Sequence, residues 1–356
     1  MHDFVYTAQP ARVVFGAGAL RRLGPEVEQL GARRALVLCT PNQRALAEQA
    51  AQLLGDRAAG VYDRAVMHVP MDTVRNAVAQ ARRLQTDCAV AIGGGSTTGL
   101  GKALALDGGL PIVAVPTTYA GSEMTPIYGL TENGVKTTAK DLRVLPRTVI
   151  YDPELSLRLP APLSAASGLN AMAHAAEGLY ARDGNPIMAL MAEEAIRALA
   201  DGLRRVVTRP GDLAARGDCL YGAWLAGTVL GNVGMALHHK LCHMLGGSFN
   251  LPHAQTHAIV LPHALAYNAA AAPLAMAGMA RALGCAPADV PRAVYELAGE
   301  LAVPRALRDI GLRAQDLDRA ADLALANPYW NPRPVEREAL RGLLQAAYEG
   351  APPAGL

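Results

Sequence analysis

Short apolar runs alternate with amphipathic stretches over the first part of the chain. Five of the runs are continuously apolar and predict buried strands, at 33–40, 59–63, 88–96, 111–118 and 147–153. Two stretches repeat apolar residues at helical spacing and predict helices, at 47–55 and 71–85. Because continuous apolar strands occur in sheets covered on both faces, this alternation predicts an α/β domain with a parallel sheet over residues 1–158.

The pattern changes at Leu159 and Pro160. From there on, long Ala- and Leu-rich stretches with helical periodicity replace the apolar runs, so residues 159–356 are predicted to form an all-helical domain. A chain of 356 residues is also longer than one compact core usually supports, which favours two domains. Hydrophobic residues make up 51% and charged residues 18% of the chain, the balance of a globular protein.

Charge and cysteine usage narrow the class of protein. A formal net charge of +2 argues against nucleic acid or an anionic membrane as the main partner. The five cysteines are scattered and form no CxxC pair, which favours reduced thiols and a cytoplasmic protein. The N-terminal stretch does not resemble a signal peptide, and polar residues and prolines interrupt the apolar tract 258–279, so no membrane span is expected.

The segment GGGSTTGLGK (93–102) follows a predicted strand and precedes a predicted helix. Backbone amides in such a turn bind phosphate groups. Ser96 and Ala103 depart from the Walker pattern, and Thr98 departs from GxGxxG, so this is a phosphate loop of neither common kind. A tight turn without a ligand is the alternative. The candidate cofactor residues here are Gly93, Gly94, Gly95, Ser96, Thr97 and Lys102.

Two further segments follow predicted strands and are candidates for the same nucleotide site. PTTYAGSEMTP (116–126) offers Thr117, Thr118 and Ser122 at the carboxyl edge of the sheet. The strand at 33–40 leads into Thr40 and Asn42, with no acidic residue to select NAD over NADP. We therefore expect both NADH and NADPH to serve, and an ordinary loop remains the alternative for 116–126.

Six of the nine histidines lie between positions 238 and 263. His239 and His243 are four residues apart and share a helix face. Gly246, Gly247 and Pro252 are expected to end that helix, so that His253 comes from a turn. The cluster predicts a metal site, an acid–base site, or both.

Several segments together resemble the iron-containing alcohol dehydrogenase superfamily, and within it the maleylacetate reductases. The resemblance rests on FGAGAL (15–20), GGGSTTGLGK (93–102), PTTYAGSE (116–123), LRVLPRTVIYDPEL (142–155), GLNAMAHAAEGLYA (168–181), HHKLCHMLGGSFNLPHAQTHAIVLPHA (238–264) and NPYWNPRPV (327–335). It implies the dehydroquinate synthase-like fold, with an α/β dinucleotide-binding domain and an all-α domain. It also implies reduction of the conjugated C=C bond of maleylacetate to 3-oxoadipate in aromatic catabolism.

The resemblance also implies roles for individual residues. His174, His239 and His253 match metal-ligand positions of the superfamily, but Asn170 and Gly99 replace acidic residues, so a required metal is not expected. The expected catalytic groups are His243 and His253 as enolate stabiliser and proton donor, with His239, His174 and Asn170 supporting them. Lys240 and Arg143 are the candidates for binding the dicarboxylate substrate. We also expect a cytoplasmic homodimer.

Three other functions remain open from the sequence. A metal-dependent alcohol or polyol dehydrogenase of the same superfamily is the main alternative. A cyclising lyase of the dehydroquinate synthase type would use the nicotinamide only transiently. A protein that binds nucleotide without catalysis, or acts in assembly, would lack turnover altogether.

Overall fold

The computed structural model describes residues 4, 6–9, 11–132 and 135–353. The chain divides into two compact units, one formed by Thr7–Leu159 and the other by Met1–Tyr6 with Pro160–Leu356. The first is an α/β unit and the second is all-helical, which confirms the predicted fold class.

Six parallel strands form the sheet of the α/β unit, in the order β1-β8-β5-β4-β2-β3. The strands of the unit are β1 Arg12–Phe15, β2 Ala35–Leu38, β3 Ala58–Tyr62, β4 Cys88–Gly93, β5 Ile112–Pro116, β6 Ile127–Glu132, β7 Val135–Lys140 and β8 Thr148–Tyr151. Its α-helices are α1 Leu23–Gln29, α2 Arg44–Leu54, α3 Met71–Arg83, α4 Gly95–Gly108 and α5 Pro153–Ser156. The four central strands are fully buried, as their continuous apolar runs predict.

The structure adds three strands that the apolar pattern does not predict. β1 is a short edge strand that pairs with β8, and its two end residues are exposed. β6 and β7 form an antiparallel hairpin outside the main sheet. Short or solvent-facing strands lack the continuous apolar run that marks a central strand, so the sequence gives no clear signal for them.

Nine α-helices make up the described part of the helical unit. They are α6 Ala161–Leu179, α7 Pro186–Thr208, α8 Leu213–Asn232, α9 Leu237–Phe249, α10 His253–Asn268, α11 Pro273–Leu283, α12 Val290–Glu300, α13 Leu317–Leu325 and α14 Arg337–Glu349. Leucines and alanines of α9, α10, α13 and α14 pack into one core cluster.

Among the described residues, no single helix has both the length and the apolar character to cross a membrane. α8 and α9 meet that composition test only as a pair bent by 95°.

One predicted helix end is wrong. α9 continues through Gly246 and Gly247 to Phe249 and ends at Asn250, which takes the left-handed conformation with φ 55°. Pro252 precedes the first turn of α10, where its fixed φ and missing N–H are tolerated. His253 is therefore the first residue of α10 and does not lie in a turn.

Candidate active site

The glycine loop joins β4 to α4 and places the start of that helix at the carboxyl edge of the sheet. Gly93 has φ +146°, and a Cβ there would lie 2.5 Å from Thr97 Oγ1. A Cβ on Gly94 would lie 3.0 Å from Thr118 Oγ1. Gly95 differs, because it is exposed and a Cβ there would meet only Ala120, at 3.8 Å. The first turn of α4 therefore offers accessible backbone amides for an anion.

Gln43 links the ends of three adjacent strands. Its Nε2 donates to Thr117 Oγ1 at 2.8 Å, and the Thr40 hydroxyl donates to its Oε1 at 3.2 Å. A Cβ on Gly93 would lie 2.6 Å from the same Oε1. Thr40, the glycine loop and Thr117 are all predicted candidates, and the structure brings them together around Gln43. The sequence analysis did not identify Gln43. A glutamine in a polar loop has no sequence pattern that would predict contacts with the ends of distant strands.

Lys102 takes a different position from the one predicted for a phosphate ligand. It is fully buried, and its Nζ donates to the backbone oxygens of Ser122, Thr125 and Ile127 at 2.7, 2.9 and 2.5 Å. Burial lowers the pKa of Lys102 to about 7, although the nearby carboxylate of Glu123 opposes this shift. Lys102 therefore anchors the segment 122–127 to α4, and Ser122 contributes its carbonyl to that anchor.

The segment after Thr40 supplies no free cation. Asn42 is exposed, and the guanidinium of Arg44 binds Asp63 at 2.6 Å and Glu48 at 2.8 Å. Arg44 is therefore already neutralised by two carboxylates.

The histidines of the helical unit come from three helices. α6 supplies Asn170 and His174 from one face, since they are four residues apart. α9 supplies His239 and His243 at the same spacing, and α10 supplies His253 and His257. The His174 and His239 rings lie 5.0 Å apart, and the His253 and His257 rings 4.3 Å apart.

Burial separates this cluster into two layers. His174, His238, His239 and His257 are buried, whereas His243 and His253 are exposed and stack with ring centroids 6.1 Å apart. Burial lowers the pKa of His174 well below its usual value, and neighbouring histidines lower it further. His174 is therefore neutral near pH 7. The two exposed rings are the ones that a substrate and its protons can reach.

Glu177, which sequence reasoning missed, orients one of the buried rings. Its fully buried carboxylate accepts a hydrogen bond from His239 Nδ1 at 2.8 Å. It also accepts from the backbone N–H groups of Ala236 and His238 at 2.8 and 2.7 Å, at the start of α9. The sequence does contain one indication of this role: Glu177 is an acid three residues after His174 in an otherwise apolar helix.

Three buried polar atoms of the predicted catalytic residues have no hydrogen-bond partner among the described residues. They are Asn170 Oδ1, His174 Nδ1 and His239 Nε2. Because the Nδ1–H of His239 donates to Glu177, its Nε2 is the nitrogen left to face a ligand. Buried polar atoms without partners are costly, so these three atoms mark a place that a polar ligand or water would fill.

Lys240 and Arg143, the predicted carboxylate-binding pair, lie in different surroundings. Lys240 is half-buried, and its Nζ sits 5.4 Å from the ring centre of Tyr329. The buried Tyr329 hydroxyl has no hydrogen-bond partner within the described ranges, and burial raises its pKa, so it stays protonated. Arg143 belongs to the α/β unit, is exposed, and is neutralised by Asp141, which its Nη2 contacts at 2.6 Å. Lys240 and Arg143 therefore belong to different units, and their role in substrate binding stays a prediction.

The segment around Tyr329 is tied to the helices that carry the histidines. The Asn331 side chain accepts from the Leu237 backbone N–H at 3.3 Å and exchanges hydrogen bonds with Asn268. The Tyr267 hydroxyl donates to the Pro334 carbonyl at 2.8 Å. These contacts fix Tyr329 beside α9 although the segment contains no α-helix or strand.

Comparison with known proteins shows two matching family models and several similar full-length proteins. The family model for the C-terminal part of Fe-containing alcohol dehydrogenases matches residues 164–348, and that for iron-containing alcohol dehydrogenase matches residues 10–153. Maleylacetate reductase of Burkholderia cepacia is 60% identical over 353 residues, covering 99% of this chain and 100% of that protein. The one from Sphingobium indicum is 58% identical over 351 residues, covering 99% of each.

A crystal structure shows the same agreement in three dimensions. Maleylacetate reductase from Agrobacterium tumefaciens superposes with a TM-score of 0.96 at 54% identity. The match covers 99% of this chain and 100% of that one.

Replacing Glu177 by Gln tests its role at the start of α9. One carboxylate oxygen would become an NH₂ group that faces N–H donors, so at least one buried donor would lose its acceptor. We expect the free energy of unfolding to fall by ~1–3 kcal/mol in urea titrations. Glu300→Gln, which changes an exposed acid of the same unit, should shift it by less than about 0.5 kcal/mol. Equal effects of the two substitutions would contradict the role assigned to Glu177.

Proposed function

Because the chain belongs to the iron-containing alcohol dehydrogenase family, we propose that it is a maleylacetate reductase that uses NADH or NADPH. The observation that carries the proposal is the layered histidine cluster, in which two exposed rings stand over a buried His239–Glu177 pair. Full-length similarity to named maleylacetate reductases supports the substrate. The relevant reaction class is reduction of a C=C bond conjugated to a ketone.

The proposed cofactor site lies at the carboxyl ends of β2, β4 and β5. The accessible start of α4 at Gly95 and Ser96 fits a pyrophosphate, since helix N-termini bind such anions. Gly93, Gly94, Thr97, Thr117 and Thr118 shape the turn around it, and Thr40 and Asn42 lie at the end of β2. We leave Lys102 out of the contacts because its Nζ is committed to backbone carbonyls.

The bound nicotinamide supplies a hydride. In the substrate, the carbon β to the ketone accepts that hydride, and negative charge develops on the ketone oxygen as an enolate. The enolate then takes a proton at the α carbon to give 3-oxoadipate. The protein must therefore stabilise an oxyanion and deliver one proton.

His243 and His253 are proposed for these two tasks. Both are exposed within the cluster, and an imidazolium can donate a hydrogen bond to an enolate or transfer a proton to carbon. His239 presents Nε2 on the side opposite Glu177, and Asn170 and His174 present the other unpartnered atoms. The Glu177 carboxylate holds the His239 ring in this orientation through its 2.8 Å hydrogen bond with Nδ1.

The substrate carboxylates require cationic or hydroxyl donors. Lys240 and Tyr329 form such a pair beside α9, with an ammonium group and a phenol that remains a donor. We propose that they bind one carboxylate of the dicarboxylate substrate. Sequence reasoning found Lys240 but not Tyr329.

The name of the family implies a metal at Asn170, His174, His239 and His253. All four side chains are neutral donors, so none supplies the charge of the acidic ligand that Asn170 replaces. Among the described residues, one group of three or more His, Cys, Asp or Glu side chains has ligand atoms that all lie within 4.8 Å of one another. Its members are His238, Cys242 and His257. The expected set therefore lacks the ligand charge of the acidic residue that Asn170 replaces, and we propose that reduction proceeds without a metal.

The competing functions differ in measurable ways. A metal-dependent alcohol dehydrogenase would oxidise simple alcohols with NAD and depend on added metal. A lyase would give no net NADH oxidation, and a protein that only binds nucleotide would give no turnover.

A cytoplasmic homodimer remains our prediction, and the near-neutral charge supports a small-molecule substrate with no nucleic acid or membrane partner.

The histidine assignment is tested by NADH oxidation with maleylacetate as substrate. We expect turnover in the unmodified protein, and a loss in kcat of roughly 10²-fold or more in His243→Ala and in His253→Ala. The KM for NADH should change little, because neither residue lies in the α/β unit. His68→Asn, in that other unit, is the control. Near-normal kcat in both alanine variants would rule the assignment out.

Metal independence is tested by chelation. Treatment with EDTA followed by gel filtration should leave most of the NADH-dependent activity, because Asn170 removes the ligand charge. Asn170→Asp restores that charge, so this variant should bind added Fe²⁺ or Zn²⁺ more tightly than the parent. If chelation abolishes activity of the parent protein and Fe²⁺ or Zn²⁺ restores it, the metal-free proposal is wrong.

Cofactor choice is tested at the end of β2. With no acid at Thr40 and Arg44 already paired, we expect kcat/KM for NADH and NADPH to differ by less than about tenfold, or ~1.4 kcal/mol. Thr40→Asp should penalise NADPH selectively through charge repulsion, whereas the neutral Thr40→Asn should not. A parent protein that discriminates against NADPH by several hundredfold would show that the adenosine site lies elsewhere.

A further inference from the structure

A second group of histidines lies behind the exposed pair and takes no part in the proposed reaction. His238 Nε2 and His257 Nδ1 form a hydrogen bond of 3.0 Å, and Cys242 Sγ lies 3.7 Å from the same His238 nitrogen. All three side chains are completely buried. His238 and Cys242 are four residues apart on α9, and His257 faces them from α10.

The spacing of these atoms matches that of ligands around one small metal ion. With metal–nitrogen distances of about 2.05 Å and metal–sulfur distances of about 2.3 Å, tetrahedral ligands lie about 3.3 Å (N to N) and about 3.6 Å (N to S) apart. The observed separations are 3.0 and 3.7 Å, and the three donor atoms are mutually within 4.8 Å. Two imidazoles and a thiol favour zinc-like, thiophilic divalent ions.

The far nitrogens of both rings add an independent observation. His238 Nδ1 and His257 Nε2 are buried and have no hydrogen-bond partner in the part of the chain that the structure describes. They can hold the ring protons while the facing nitrogens offer their lone pairs. Moving the shared proton from between the rings to a far nitrogen is the only change in tautomer that ligation requires.

We propose that His238, Cys242 and His257 form a buried site for a zinc-like divalent cation, separate from the position that the family name implies. Each histidine ligates as a neutral imidazole and keeps one proton, and Cys242 ligates as a thiolate. Binding therefore releases one proton to solvent per ion. The divalent charge is balanced by the Cys242 thiolate and by Glu177, whose charge acts on Cys242.

Titration with Co²⁺ alone tests the proposal, because thiolate ligation produces a near-ultraviolet charge-transfer band. The His174, His239 and His253 set contains no sulfur and cannot produce it. We expect the band in the unmodified protein, with release of one proton per bound Co²⁺ in a weakly buffered indicator assay. Cys242→Ser and Cys242→Ala should both lose the band, and Cys285→Ser should keep it. Circular dichroism establishes that each variant is folded.

Either of two results would overturn the proposal. The first is Co²⁺ binding without a thiolate band, or no Co²⁺ binding, in the folded unmodified protein. The second is a thiolate band that survives in a folded Cys242 variant. Both results are independent of maleylacetate turnover, so the metal site and the proposed reaction can fail separately.

Discussion

The arrangement of the helical unit depends on one buried carboxylate. Glu177 lies on α6 but accepts hydrogen bonds from backbone N–H groups at the start of α9 and from the His239 ring. The residue that precedes α9 is Ala236, whose side chain has no hydrogen-bond acceptor. Glu177 therefore accepts the hydrogen bonds from the first N–H groups of α9 that a capping side chain would normally accept. Its negative charge also favours the positive end of the α9 dipole. A single acid thus fixes both the origin of α9 and the orientation of His239.

The α/β unit uses a buried amine in a similar way. Buried Lys102 satisfies three backbone carbonyls and so holds the segment 122–127 against α4. In both units, a buried polar side chain is committed to backbone groups while other polar groups remain accessible. Gly95 at the start of α4 and the exposed rings of His243 and His253 are the accessible groups. Holding the supporting groups inside the fold keeps the ligand-facing groups accessible to cofactor or substrate, as preorganised sites require.

Local patterns predicted most of the fold, and long-range contacts explain what they missed. The central strands and the change to a helical unit follow directly from periodicity, whereas the half-exposed strand β1 and the β6–β7 hairpin have no continuous apolar run. Spacing of four residues placed His239 and His243 on one face. No local pattern links Glu177 to His239, which is 62 positions away, or Gln43 to Thr117, which is 74 positions away. Lys102 is next to the glycine loop in the sequence, which suggested that it binds phosphate. Its hydrogen-bond partners are instead the backbone oxygens of Ser122, Thr125 and Ile127, 20 to 25 positions away.

We propose that hydride reaches the carbon β to the ketone while the histidines stabilise and protonate the enolate. The most direct measurement uses NADH carrying deuterium at the transferred position, with maleylacetate as substrate and NMR analysis of the product. We expect 3-oxoadipate with the deuterium on the carbon β to an intact ketone and a solvent-derived proton at the α carbon. Deuterium on a carbinol carbon, in a product that keeps its C=C bond, would contradict it and would favour ketone reduction of the alcohol dehydrogenase type.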